Sequence, residues 1–135
     1  MSLAKEFADV YPVPLDGLNM PSPMVAEVSF NTGEQAQNRI YVAGRTRINR
    51  VRAIVTTALA GADNGTVTVQ NAAGATIATL TIPMSSAVNT EFDTGVITGD
   101  NRNIGRDSHF RLVGAKTTAG GRVLVSVEYS ILPER

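Results

Sequence analysis

The chain has no cysteine, no tryptophan and a single histidine. Without cysteine there can be no disulfide, no thiolate metal site and no cysteine nucleophile, and the redox compartment is left open. One imidazole is too few for a histidine-based zinc site. Aromatic residues make up only 5% of the chain, which poorly supplies the exposed platforms a carbohydrate-binding module needs. Charge of either sign is also missing in excess: 12 basic and 12 acidic side chains cancel. No net field therefore gathers nucleic acid or an anionic membrane surface. No apolar run approaches the ~20 residues of a membrane-spanning helix. The N-terminus lacks a basic region followed by an apolar stretch, so a soluble chain without an export signal is expected.

What is present is a β-sheet vocabulary. Thr, Val, Ala, Gly and Asn dominate the 135 residues; Val and Thr favour strands, and Gly and Asn supply turns. A chain of this length is one domain, burying roughly two-thirds of its unfolded surface in one modest core. From Met24 onward short strands alternate with turn signals. The spacing predicts strands at "MVAEVSF" (24–30), "RIYVAG" (39–44), "INRVRAIVTTAL" (48–59), "TVTVQN" (66–71), "ATIATLTIP" (75–83), "EFDTGVIT" (91–98), "HFRLVG" (109–114) and "RVLVSVEYSIL" (122–132). A polar loop is expected at 31–38, and a tight turn at "GADNG" (61–65), with Asn64 and Gly65 suited to positive φ. The last strand is the clearest: Val123, Val125, Val127, Tyr129 and Ile131 alternate with Arg122, Ser126, Glu128 and Ser130. Roughly eight short strands uninterrupted by helical patterns predict an all-β, antiparallel β-sandwich of jelly-roll type over residues 24–135.

The first 23 residues differ. "LAKEFAD" (3–9) offers at most one helical turn, and "YPVPLDGLNMPSP" (11–23) holds prolines at 12, 14, 21 and 23. Each lacks an amide donor and restricts the residue before it, so neither helix nor central strand forms there. Yet Tyr11, Val13, Leu15, Leu18 and Met20 are not the residues of a solvated linker. Residues 1–23 are expected to be an extended, Pro-rich N-terminal arm that lies on another protein through those five side chains.

No constellation supports catalysis, and the chain is not expected to be an enzyme. "FDTG" (92–95) has the Asp-Thr-Gly of aspartic proteases, and "GRD" (105–107) a segment like one in the retroviral enzymes. Too little chain separates the two to hold a flap hairpin, and Gly95 is followed by Val-Ile-Thr rather than small residues. Asp93, Thr94 and Gly95 are better read as a strand and its bulge. Asp107, Ser108 and His109 are adjacent on a strand and point to opposite faces, so they cannot converge as a triad. "DNGT" (63–66), an Asn-Gly-Thr sequon, is explained as a turn, and "GADNG" and "GDN" (99–101) hold too few carboxylates for a calcium loop. No cofactor is implied. Arg45, Arg47, Arg50 and Arg52, in "GRTRINRVR", form the one basic cluster. Without interleaved aromatics it is a poor single-strand platform. Salt bridges to a neighbouring subunit are the favoured reading, since Arg matches carboxylates bidentately and is common at interfaces. Leu124, opposite the main stripe of the last strand, and Ile40 with Val42 are read as surplus apolar surface for an oligomer, a homotrimer in the simplest case.

The stretch "ATIATLTIPMSSAVNTEFDTGVITGDNRNIGRDSHFRLVGAKTTAGGRVLVSVEYSIL" resembles the β-sandwich modules of tailed-bacteriophage virion proteins. It pairs a strand leaving a Gly-rich turn with an "ATLTI" run, then a loop carrying "N", "I" and "GD", and closes on "G…V.V.VEY". The resemblance covers about residues 46–132 and is similar to the small capsid decoration, or cement, proteins and to some head-fibre or tail proteins. Where such modules read Gly-Asp before the penultimate strand, this chain has Gly105-Arg106-Asp107. The resemblance implies a jelly-roll homotrimer on the virion surface. It would bind the major capsid protein and clamp adjacent capsid subunits, with no nucleic-acid or membrane partner. A tail, baseplate or head-fibre subunit would carry the same features, and a carbohydrate-binding module is the third reading.

Overall fold

The computed structural model describes residues 22–30 and 36–133. The arm side chains Tyr11, Val13, Leu15, Leu18 and Met20 lie outside the described residues, as does most of the loop expected at 31–38. The described residues form nine strands: β1 (Met24–Ser29), β2 (Ala36–Tyr41), β3 (Thr46–Thr57), β4 (Gly65–Asn71), β5 (Thr76–Ile82), β6 (Glu91–Asp93), β7 (Asn103–Ile104), β8 (His109–Ala115) and β9 (Arg122–Ile131). A 3₁₀ turn at Asp100–Arg102 precedes β7.

The strands form two antiparallel sheets. One has the order β1-β9-β3-β6, with β7 on the same edge of β3 as β6, and the other β2-β8-β4-β5. Pairing nests outward from the β4–β5 hairpin, through β4 with β8 and β2 with β8, to β3 with β9 and β1 with β9. All other connections, apart from the excursion between β6 and β7, cross from one sheet to the other. This is the strand order of a jelly roll.

The core lies between the sheets. Val28, Ile48, Val51, Val55, Val123, Val125 and Val127 from one sheet meet Val67, Val69, Leu80, Ile82, Phe110 and Leu112 from the other. Each such fully buried side chain contributes about 1.5–3 kcal/mol. Two glycines set the closeness of the sheets. A Cβ at Gly65 would stand 2.9 Å from the Phe30 ring, and one at Gly114 would run into Val28.

Several expectations are corrected by this geometry. Residues 61–65 are a crossover between sheets rather than a hairpin turn, since β3 and β4 lie in different sheets. The positive φ there belongs to Ala62, and Gly65 is needed for the Phe30 ring rather than for its φ. The strand expected at 91–98 stops at Asp93. Gly95 and Gly99 take positive φ, the chain leaves the sheet, and β7 resumes the pairing with β3 at Thr46 and Arg47. β2 begins three residues before the expected start, inside the expected loop. Val42 is buried in the core and Ile40 packs against it, so this pair faces inward and adds no second outer apolar surface. Ile131, at the end of β9, is 62% exposed, because the strand outruns the core.

Candidate interaction surface

The outward face of the β1-β9-β3-β6 sheet gathers most of the charge that the sequence singles out. In a regular strand Arg47 would share its face with odd-numbered residues and Arg50 with even ones. β3 carries a bulge between Ile48 and Arg50, where two residues oppose one of β9. The bulge exchanges the faces, so Ile48 and Val51 both point inward while Arg47, Asn49, Arg50 and Arg52 are only partly covered or exposed. The extra residue is held: the Asn49 carbonyl accepts the Ile97 amide at 2.8 Å, and its side chain donates to Ser130 Oγ at 2.6 Å.

Around this bulge lies a charge network. Arg50 forms a two-pronged contact with Asp93, Nε donating to Oδ1 at 2.8 Å and Nη2 to Oδ2 at 2.7 Å. Arg52 Nε stands 3.4 Å from Asp93 Oδ2 and 3.2 Å from Glu128 Oε2. The Gly95 amide also donates to Asp93 Oδ1 at 2.7 Å. The Arg50 hydrogen bond, then that amide, lower the Asp93 carboxyl below its ordinary range, and the same pairing raises the Arg50 guanidinium. Arg47 donates to Asn103 Oδ1 at 3.2 Å, and Arg45, just before β3, donates to the Pro133 carbonyl at 2.7 Å. Each of the four arginines thus has a partner within the chain. Three lie on one face and Arg45 lies at its end.

Beside the charges is an apolar cleft of about 240 Å³, lined by Val25, Ile54, Leu124, Ser126, Arg52 and Glu91. The pairing brings these residues together: Val25 lies opposite Ser126 across β1 and β9, and Ile54 opposite Leu124 across β3 and β9. Val25 is 57% exposed and Leu124 37%. Farther along the same face Arg122 and Glu27 stand 4.0 Å apart. The result is an apolar centre with a charged margin, the anatomy of a protein–protein contact.

The other motifs resolve as structure. Asp93, the aspartate of the protease-like "DTG", is the arginine partner, and Thr94 Oγ1 accepts the Val51 amide at 3.1 Å. Asp63 receives Lys116 Nζ at 3.0 Å and the amides of Thr117 and Thr118 at 2.7 and 3.0 Å. The Lys116 side chain is completely buried. Asp63 therefore ties the β3–β4 crossover to the β8–β9 turn, and its oxygens are occupied by these donors. Among the described residues no group of three or more His, Asp or Glu is placed to hold a metal ion. His109 opens β8 and leans on Tyr41, with ring centroids 5.1 Å apart. It borders a shallow polar cleft of about 170 Å³ with Asn71, Asn103 and Ser108.

The sequence singles out Leu124 and the four arginines, but it does not show Val25, Ile54, Asp93 and Glu128 as their neighbours on this face. Glu128 was legible as an outward residue of the last strand. Its position beside Arg50 and Arg52 follows only from the β3–β9 register.

No protein-family model and no curated protein sequence matches the chain. Among solved structures, the chain is similar to that of PirA, at 8% identity and a TM-score of 0.47, over 79% of this chain and 94% of that one. It is also similar to a chain of the cyanophage Pam1 capsid asymmetric unit, at 17% identity and a TM-score of 0.45, over 84% and 83%. A third similarity is to the carbohydrate-binding module CBM36 in complex with calcium and xylotriose, at 14% identity and a TM-score of 0.36, over 82% and 88%.

Proposed function

We propose that this chain is a structural virion protein of a tailed bacteriophage. It binds the outer surface of the capsid and clamps neighbouring capsid subunits, as a decoration or cement protein. The observation that carries this reading is the outward face of the β1-β9-β3-β6 sheet, where an apolar cleft at Val25, Ile54 and Leu124 adjoins the Arg50–Asp93–Arg52–Glu128 network. On this reading Arg45, Arg47, Arg50 and Arg52 meet carboxylates of the major capsid protein alongside their partners within the chain. Residues 1–23 act as the attachment arm, with residues 24–135 as the folded domain, and copies associate as a homotrimer. Prolines suit an arm of this kind because a stiffened segment loses less entropy on docking.

Co-sedimentation with capsids of the cognate phage, combined with a light-scattering mass, tests the reading. Saturable pelleting with capsids and a mass of three chains are expected. Pelleting with isolated tails or baseplates instead of capsids would move the assignment to a tail, baseplate or head-fibre subunit. A mass of one chain at micromolar concentration would remove the trimer.

A further inference from the structure

The end of the sandwich near the β4–β5 turn carries a second cleft, apart from the one at Val25, Ile54 and Leu124. Its volume is about 170 Å³, and it is lined by Asn71 at the end of β4, Asn103 and Gly105 in and just after β7, and Ser108 and His109 where β8 begins. Each amide side chain is held by its oxygen. Asn71 Oδ1 accepts the Ala75 amide at 2.9 Å, and Asn103 Oδ1 accepts Arg47 Nε at 3.2 Å. An amide whose oxygen is engaged in this way is left with its nitrogen donors to offer. Neither nitrogen has an acceptor among the described residues, and the Ser108 hydroxyl and His109 ring are likewise without a hydrogen bond there. The Asn71 wall is itself braced, since Arg111 Nη2 donates to the carbonyls of Asn71 and Ala72 at 3.5 and 3.4 Å. Beside His109 stands Tyr41, its cross-strand neighbour in the β2–β8 pair. The two rings are tilted, with centroids 5.1 Å apart, and Tyr41 is 67% exposed. Every other Phe and Tyr among the described residues is buried or half-buried. The one ring left to solvent adjoins this cleft.

We infer that this cleft binds one ring of a neutral saccharide, with Tyr41 and His109 supporting the next ring along. Among the described residues no charged side chain lines it, so nothing there selects an ionic ligand. What lines it is a set of neutral donors and a hydroxyl, and sugar hydroxyls both donate to and accept from such groups. The cleft is smaller than the roughly 300–1,000 Å³ of pockets that enclose a drug-sized ligand. It therefore admits a single ring while the rest of a sugar chain stays outside. The C–H face of a sugar packs on an aromatic ring, and tyrosine offers that apolar body while its hydroxyl stays wet. Donors already fixed by bonds within the chain lose little freedom on binding. The aromatic pair belongs to the β2-β8-β4-β5 sheet, not to the sheet proposed to meet the capsid. The inference thus goes beyond the capsid reading: a capsid-bound copy would give the particle a hold on a surface polysaccharide.

Titration of the full chain with maltotriose, cellotriose and mannotriose, followed through its backbone amide NMR signals, tests this. Saturable shifts are expected at Asn71, Asn103, Ser108 and His109 with at least one of these sugars at millimolar concentration. Tyr41→Ala should weaken that binding about tenfold. Asn103→Asp keeps the oxygen that Arg47 uses and removes the amide donors. It should weaken binding several-fold while leaving signals away from the cleft in place. The absence of saturable shifts at these residues with all of the sugars would overturn the inference. So would full affinity in both variants, or tighter binding of the acidic sugar sialyllactose than of any neutral one. The assay contains no capsid, so its failure leaves the capsid reading standing.

Discussion

Asp63 shows how one side chain links folding to solution conditions. Chiefly through the Lys116 hydrogen bond, then the Thr117 and Thr118 amides, and against an opposing push from desolvation, its carboxyl falls from 3.8 to about 2. A carboxyl whose pKa is lower in the folded state contributes stability above its unfolded value and loses it on acidification. The thermal midpoint should therefore drop as pH falls from 3.8 toward about 2. Asp63→Asn should lower the midpoint at pH 7, because Lys116 is left buried without its counter-charge, and should make the acid drop shallower. Thermal unfolding followed by circular dichroism across that range checks both statements; an equally steep drop in the variant would remove Asp63 as its cause. The outer arginines behave differently. Arg50, Arg52 and Asp93 are each at least one-third exposed, and pairs of that kind add little to stability. Reversing Arg50 and Arg52 to Glu should leave a folded, cooperative domain. It should weaken capsid binding most at low salt, where rim charges act at longest range. Unchanged low-salt binding in that double variant would take the arginines out of the contact.

Elements were legible in the sequence wherever one face was apolar and the other polar. The alternation of Val123, Val125 and Val127 in β9, and of Val67 and Val69 in β4, announced both the strands and their buried faces. β3 was legible as a strand but not as a bulged one. Its run Ala53-Ile54-Val55 is apolar on both sides, and that hid Ile54 as an outer residue. β7 is two residues long and is defined by its partner on β3, so no local pattern marks it. The closeness of the sheets was also hidden, because it depends on what stands opposite each glycine. Gly114, on β8, faces Val28 of β1 across the core with no room for a methyl group. Gly114→Ala should destabilise the domain by about 1–3 kcal/mol through overpacking. Val28→Ala in the same chain should recover part of that loss, a coupling expected of residues in contact. Denaturant unfolding of the two single variants and the double gives the coupling directly; additive effects would show that the clash is relieved elsewhere.

At the scale of the whole molecule, the sandwich was readable from regular strand spacing. The candidate surface was only half readable. Arg45, Arg47, Arg50, Arg52 and Leu124 stood out one by one, but the surface exists because β3 lies between β9 and β6 and because a bulge turns the arginines to one side. Long-range register of that kind has no local sequence signal. The proposed arm rests on composition alone, and it bears the most direct test of the account. A chain starting at Met24 keeps every alternating strand and should unfold cooperatively at a temperature close to that of the longer chain. Burying Tyr11, Val13, Leu15, Leu18 and Met20 is worth several kcal/mol at about 25 cal/mol per Å², before ordering costs reduce it. The decisive measurement is therefore capsid occupancy against concentration for the two chains side by side. The account predicts that the chain starting at Met24 folds and loses most of its occupancy. A shortened chain that saturates capsids at the same concentration would contradict it.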